Sequence, residues 1–396
     1  NGVHRTMKPV YRASFQLGSP AKPNGLFDQV AVACITWAVR RRGLDDSLLS
    51  VQQAESIPYQ SIGTGVFIES LRVDDSKERS WAMRFLHPDS EDTCLQWTTD
   101  VGLLEDSEGR LDFSCTNYLG NVDGALAPMR RSPSRPRIVR DLLKSFGGKD
   151  TLSLSADPRV LTNTSDSLGS FLDLLHSGYR RHPLVYISAA NVNDQPVLDG
   201  HEVASWLAGL AYVFVARDRF PSLSLRDRLP QQLNCWDGAV RIYWPGFRAM
   251  DTPSRHRFWS PAFVRDVEKG PGKGFREYLL GRISTFAVFN VHDRFLTWND
   301  ILSRNRRITL ARATNQGDFE KIAEEYARDN DELRTQLVAL REQLQMQTVA
   351  LEQARNEADS WRTAYQQHAR GVALNEDIDV PISSIQDAVQ RAEKVF

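Results

Sequence analysis

The stretch WDGAVRIYWPGF (236–247) sets Arg241, Tyr243 and Trp244 close together, with Arg248 just beyond. Guanidinium groups beside aromatic faces can hold an anion by charge and a base by stacking, so these four residues are candidates to line a ligand pocket. The same residues could equally wedge a helix against a sheet. Upstream, SAANVND (188–194) adds Asn191 and Asp194, polar groups that would share the pocket if both segments meet at one sheet edge. A second chemistry is suggested by MRRSPSRPR (129–137), where Arg130, Arg131, Arg135 and Arg137 could make salt-sensitive, sequence-independent contacts to the phosphates of DNA or RNA. Smaller basic clusters recur at Arg180, Arg181 and His182, and at Arg304, Arg306 and Arg307. The alternative for all of them is a solvated basic face.

Other chemistries lack their residues. KGPGKGFREYLLGRI (269–283) puts glycines before a helix, but Lys273 is followed by Gly274 rather than a magnesium-holding Ser or Thr. Asp74, Asp75 and Lys77, and likewise Asp89, Glu91 and Asp92, sit in polar turns between strands, where a solvated turn is the simpler account than a nuclease centre. None of the eight histidines pairs at i, i+4, and no GxSxG elbow occurs. Cys34, Cys94, Cys115 and Cys235 are too scattered for a zinc or redox motif. No metal and no cofactor is expected.

The elements that must position these residues follow from periodicity. LFDQVAVACITWAVRRR (26–42) spaces Phe27, Val30, Cys34, Trp37 and Val39 as a packed helix. Between 64 and 120, strand-like segments separated by DDSK, HPDSED and EDSEG predict an antiparallel meander. Residues 1–150 therefore read as an α+β domain. In 151–317 short β-rich runs alternate with helical ones, which predicts a small α/β domain of βαβ type with a mainly parallel sheet. Ligands in such sheets bind beyond the strands' carboxyl ends, where Asn191, Asp194, Trp244 and Arg248 would meet.

From 318 to 371 the pattern is a long C-terminal coiled-coil helix, with Asn330, Leu337, Leu344 and Leu351 at a and Tyr326, Leu333 and Leu340 at d. Seven heptads over 319–369 make a rod of about 75 Å that would join a parallel homodimer, unless it folds back as a hairpin. Residues 372–396 read as the start of a further, incomplete helical segment. The tail is acidic, with 16 acids and nine bases after residue 317, against 34 acids and 40 bases before it. Only nine of the 49 basic residues are lysines. No apolar run approaches the roughly 20 residues that span a bilayer, and Asn1 to Ser19 lacks the order of a secretory signal. A cytoplasmic protein without membrane contact is expected.

LNCWDGAVRIYWPGF, with HPLVYIS and ASWLAGLAYVFV upstream and the heptads after it, resembles large bacterial proteins of mobile-element and antiphage-defence loci. The resemblance covers about residues 165–396 and transfers no catalytic residue. It implies a place in a multi-protein bacterial assembly. The expectation is thus a non-catalytic sensor or scaffold subunit of a defence or DNA-related complex. The alternative is an enzyme, nuclease-like or nucleotide-processing, with its site at the βαβ strand ends.

Overall fold

The computed structural model describes residues 7–18, 25–42, 51–122, 134–150, 152–191, 195–270, 274–289, 295–313 and, intermittently, 316–359. Met7–Ile322 forms one compact unit and Ala323–Phe396, with Asn1–Thr6, another.

The first sheet is antiparallel. Its strands are β1 (Met7–Leu17), β2 (Ile57–Gly63), β3 (Val66–Asp74), β4 (Glu78–Pro88), β5 (Leu95–Asp106), β6 (Leu111–Asn121), β7 (Gly148–Lys149) and β8 (Ser153–Leu154). They lie in the order β2-β3-β4-β5-β6-β1-β7-β8. Because side chains alternate along a strand, register sorts the sheet into two faces. One carries Ile68, Met83, Phe85, Val101, Leu103, Phe113, Cys115 and Phe15, all buried. Helix α1 (Leu26–Arg42) covers it with Phe27, Val30, Ala31, Cys34 and Ile35, an i, i+3, i+4 stripe, and α2 (Arg137–Phe146) adds Ile138, Val139, Leu142 and Leu143.

The opposite face carries a polar row in register across five strands, Glu69, Arg84, Asp100, Thr116 and Arg12. Arg84 forks onto Asp100 at 2.8 and 2.9 Å, a bidentate geometry that compensates both buried charges. Helix α8 (Trp298–Arg312) lies over this face with Trp298 and Ile301 against Val73 and Ala82. Its approach depends on Gly102, where a Cβ would stand 2.3 Å from the Leu296 carbonyl oxygen. That carbonyl instead accepts the Ser114 hydroxyl at 2.7 Å.

The second sheet holds β9 (Arg159–Leu161), β10 (Leu184–Ile187), β11 (Tyr212–Ala216), β12 (Val240–Tyr243) and β13 (Phe258–Trp259), in the order β13-β12-β10-β11-β9. Its helices are α3 (Ser165–His176), α4 (Gly200–Trp206) and α5 (Phe220–Arg226), followed by α6 (Pro261–Lys269) and α7 (Phe275–Phe289). One apolar core runs through both sheets, and α7 packs against both β1 and α4.

Two expectations are corrected. The second sheet is mixed, not mainly parallel: β9, β10 and β11 are parallel, but β12 runs antiparallel to β10 and β13 antiparallel to β12. A parallel crossover must carry the chain back to the strands' amino ends. Here the seven-residue α5 and a 3-10 turn at Gln231–Leu233 return it to the carboxyl ends instead, where Trp236-Asp237-Gly238-Ala239 turns into β12. Asp237 and Gly238 both have positive φ, 56° and 77°, as a tight hairpin-type turn requires. The long C-terminal coiled-coil helix is the second correction. The longest continuous helix among the described residues is α1, at 17 residues, and those described between 316 and 359 are helical only in short separate stretches. Heptad spacing marks an apolar seam that the described residues leave exposed. In the chain itself Leu333, Leu337 and Leu344 are 56, 49 and 66 % exposed, and a helix without a packed face is only marginally stable.

Candidate functional site

The carboxyl ends of β10 and β11 are where the parallel part of the sheet could receive a ligand. Phe171 of α3 and Ser222 of α5 pack on the face bearing Tyr186 and Phe214, whereas Gly200 of α4 packs on Val215 of the other face. The crossovers leaving β10 and β11 therefore go to opposite faces, the arrangement that in open α/β sheets places a ligand crevice between the two strand ends. Asn191 lies there, exposed. Its backbone N–H donates to Asp237 Oδ1 at 2.9 Å, and its carbonyl lies 3.5 Å from Arg219 Nη1. Asp194 lies outside the described residues.

Trp244 and Arg248 do not join them. Because β12 is antiparallel, its carboxyl end sits beside the amino end of β10, with Tyr243 opposite Leu184. Trp244 is half-buried with its ring 4.8 Å from Phe286, and Arg248 is exposed with its N–H on Asp251 Oδ2. Tyr243 is fully buried among Phe171, Phe247 and His256, and its hydroxyl donates to the Leu233 carbonyl at 2.8 Å. The aromatic end of this strand is thus a packing device.

Two residues hold that end in place, Arg180, which the sequence marked only as part of a basic cluster, and His256, which it did not mark at all. Arg180, 2 % exposed, donates from Nη1 to the carbonyls of His182 and Tyr243 and from Nη2 to that of Trp244, at 2.8 to 2.9 Å. Burial draws its pKa down to about 10. His256 is fully buried. Its Nδ1 accepts the Trp244 N–H, so Nε2 carries the proton and donates to Asp251 Oδ2 at 2.9 Å. Burial lowers the His256 pKa, against the opposing pull of Asp251. For Asp251 burial pushes upward, but bonds from His256, the Arg248 N–H and Arg255 outweigh it and bring the pKa to about 2.

The sign of the resulting pH dependence follows. Both native pKa values lie below the unfolded ones, so the unfolded state binds more protons on acidification. The His256 contribution is complete above about pH 6.5 and is lost as the pH falls below it; that of Asp251 is lost from 3.8 down through about 2. Melting temperatures between pH 4 and 8 should fall on the acid side of 6.5, and His256→Gln should remove that step. A step of unchanged size in the variant would rule His256 out as its source.

The groups of catalytic type near the strand ends are engaged in the fold. Ser188 Oγ donates to the Ala239 carbonyl at 2.9 Å, and the Tyr186 hydroxyl bonds Ser222 Oγ at 2.7 Å. The Cys235 thiol also points at the Ala239 carbonyl, and burial pushes its pKa up to about 12. At the start of α7, where a phosphate could have bound, the Phe275 N–H is taken by Glu268 Oε1 at 2.8 Å; Lys273 lies outside the described residues. Asp75 Oδ1 and Asp89 Oδ1 accept backbone N–H groups of their own turns, and Asp89 Oδ2 accepts the Trp97 indole N–H at 2.7 Å. Among the described residues no group of three or more His, Cys, Asp or Glu is placed to hold a metal ion.

Arg241 differs from all of these. It is 4 % exposed, and Nη2 donates to the Gln232 carbonyl at 3.0 Å, but Nε and Nη1 have no acceptor. Its guanidinium lies 5.1 Å from the Phe258 ring and 6.0 Å from that of Tyr243. Trp236 in turn lies 6.1 Å from Phe258. Neither Trp236 nor Phe258 was singled out by the sequence, because Phe258 becomes a neighbour only through β13.

Of the four proposed phosphate-binding arginines, the two described ones do not share a surface. Arg130 and Arg131 lie outside the described residues. Arg135 is turned onto Trp206 at 5.3 Å, sharing that ring with Arg276 at 5.4 Å, while Arg137 is exposed at the start of α2. Among the described residues no helix is long and apolar enough to cross a membrane. Compared with protein-family models, curated proteins and solved structures, the chain matches none.

Proposed function

We propose that the chain is a non-catalytic sensor or scaffold subunit of a bacterial antiphage-defence or DNA-related multi-protein complex, acting in the cytoplasm. The observation that carries the non-catalytic half is the commitment of Ser188, Tyr186, Cys235 and His256 to structural hydrogen bonds. A nucleophile needs a base within reach and a free face toward substrate, and these groups are occupied with backbone carbonyls, with Ser222 or with Asp251. Support for the defence assembly comes from the resemblance carried by LNCWDGAVRIYWPGF and its flanking segments.

The second reading, an enzyme of nuclease-like or nucleotide-processing type, is favoured by the opposed crossovers at β10 and β11. The double variant Asn191→Ala/Arg219→Ala strips polar side chains from that crevice at exposed positions. In a phage-challenge assay in the native host, the scaffold reading expects protection to persist. Protection lost while melting temperature and copurifying partners stay unchanged would overturn it in favour of the enzyme.

A further inference from the structure

We propose that Arg241, Trp236 and Phe258 form a receptor for a small ligand that carries a phosphate or carboxylate beside a planar ring. The inference deepens the sensing half of the reading above, and its observation is independent of the strand-end crevice.

A buried guanidinium without acceptors is costly, because it has given up water and received neither a counter-charge nor a full set of carbonyls. Arg180, the other buried arginine among the described residues, leaves only Nε without an acceptor, and half-buried Arg84 is held by a carboxylate. Arg84 has the Asp100 carboxylate, and Arg180, with no carboxylate, has four carbonyls including the longer contact to Leu175 at 3.4 Å. Arg241 has one, that of Gln232, and both Nε and Nη1 are left over. Electron-rich faces on Phe258 and Tyr243 offset part of the charge but accept no conventional hydrogen bond. An arriving anion would supply the missing acceptors.

The surroundings say what else such a ligand would carry. Phe258 roofs the guanidinium and is 37 % exposed; Trp236, beside it, is 43 % exposed. Phe258 belongs to a two-residue edge strand paired to β12 alone, so its ring can swing aside without breaking a central ladder. A planar ring entering against Trp236 replaces that contact, and the attached anion then reaches Nε and Nη1. Gln231 and Gln232 are both exposed on the adjoining 3-10 turn, whose Gln232 carbonyl already takes Arg241 Nη2.

The test uses the whole chain with adenosine 5′-monophosphate and benzoate as probes, read by tryptophan fluorescence and calorimetry. Binding of either is expected, and which one binds distinguishes a nucleotide from an aromatic acid. Arg241→Met should weaken binding at least about tenfold, the loss of one charge-assisted contact, while melting at or above the parent temperature, since it removes an uncompensated buried cation. Trp236→Leu should weaken binding with the fold intact. The proposal is overturned if neither probe binds the parent, if Trp236→Leu binds as tightly, or if Arg241→Met melts clearly lower, which would make the arginine structural. Failure here leaves the scaffold reading standing, because the phage challenge on the crevice variant tests that separately.

Discussion

Arg180→Ala should destabilise the fold by about 3 kcal/mol, a large fraction of the roughly 5–15 kcal/mol that holds a typical domain together. The side chain gathers the carbonyls of Leu175, at the end of α3, of His182, before β10, and of Tyr243 and Trp244, at the end of β12. Its removal leaves buried acceptors unsatisfied at about 1–3 kcal/mol each, partly offset because a desolvated cation is no longer buried without a carboxylate. Arg180→Lys should recover little. An ammonium is a compact donor and cannot span acceptors on three segments as a planar guanidinium does. Urea unfolding of parent and both variants measures this, and an alanine variant with the parent's midpoint would show that the clamp contributes nothing.

Phe171→Ala should cost a comparable 3–5 kcal/mol. The ring is fully buried under the second sheet, 5.1 Å from Phe214 and 5.5 Å from Tyr186, with Tyr243 at 6.3 Å. Truncation removes the edge-on contacts to Phe214 and Tyr243 together with the volume that separates α3 from β10, β11 and β12. Phe171→Leu keeps most of that volume and should lose much less. If the alanine variant unfolds within about 0.5 kcal/mol of the parent, the level of an ordinary surface change, Phe171 is not the keystone of this layer.

Much of the local structure was legible in the sequence. The i, i+3, i+4 stripe of 26–42 marked α1, and the alternation from 64 to 120 marked strands β3 to β6 with their polar turns. Asp237-Gly238 marked a turn, because few other dipeptides accept two positive φ values in succession. The candidate site was less legible. Arg241 and Tyr243 alternate with Ile242, but whether an inward-facing arginine meets an acceptor, a ring or nothing depends on which strand lies beside it. That neighbour is β13, contributed by residues 258 and 259 after a long loop.

Direction was the other quantity the sequence withheld. Alternating strands and helical runs suggest parallel crossovers, and β9, β10 and β11 do lie parallel, but after α5, which is as long as the α4 of the parallel crossover, the chain turns into β12 at the carboxyl ends. The resulting reversal of β12 sends Trp244 and Arg248 to the end of the sheet opposite Asn191. Heptad spacing likewise defines what a seam would bury without supplying a surface to bury it.

By itself, then, the sequence determined which segments take helical or extended backbone and which side chains share a face, because periodicity and turn chemistry act over neighbouring residues. Only tertiary structure decided that Arg180 would be satisfied by carbonyls and Arg241 left with open donors. Their partners come from distant segments, Tyr243 and Trp244 for the one and Phe258 for the other. Two arginines of the same intrinsic chemistry become a clamp and a candidate receptor because burial removes water from both, while packing leaves only Nε open on the one and both Nε and Nη1 on the other.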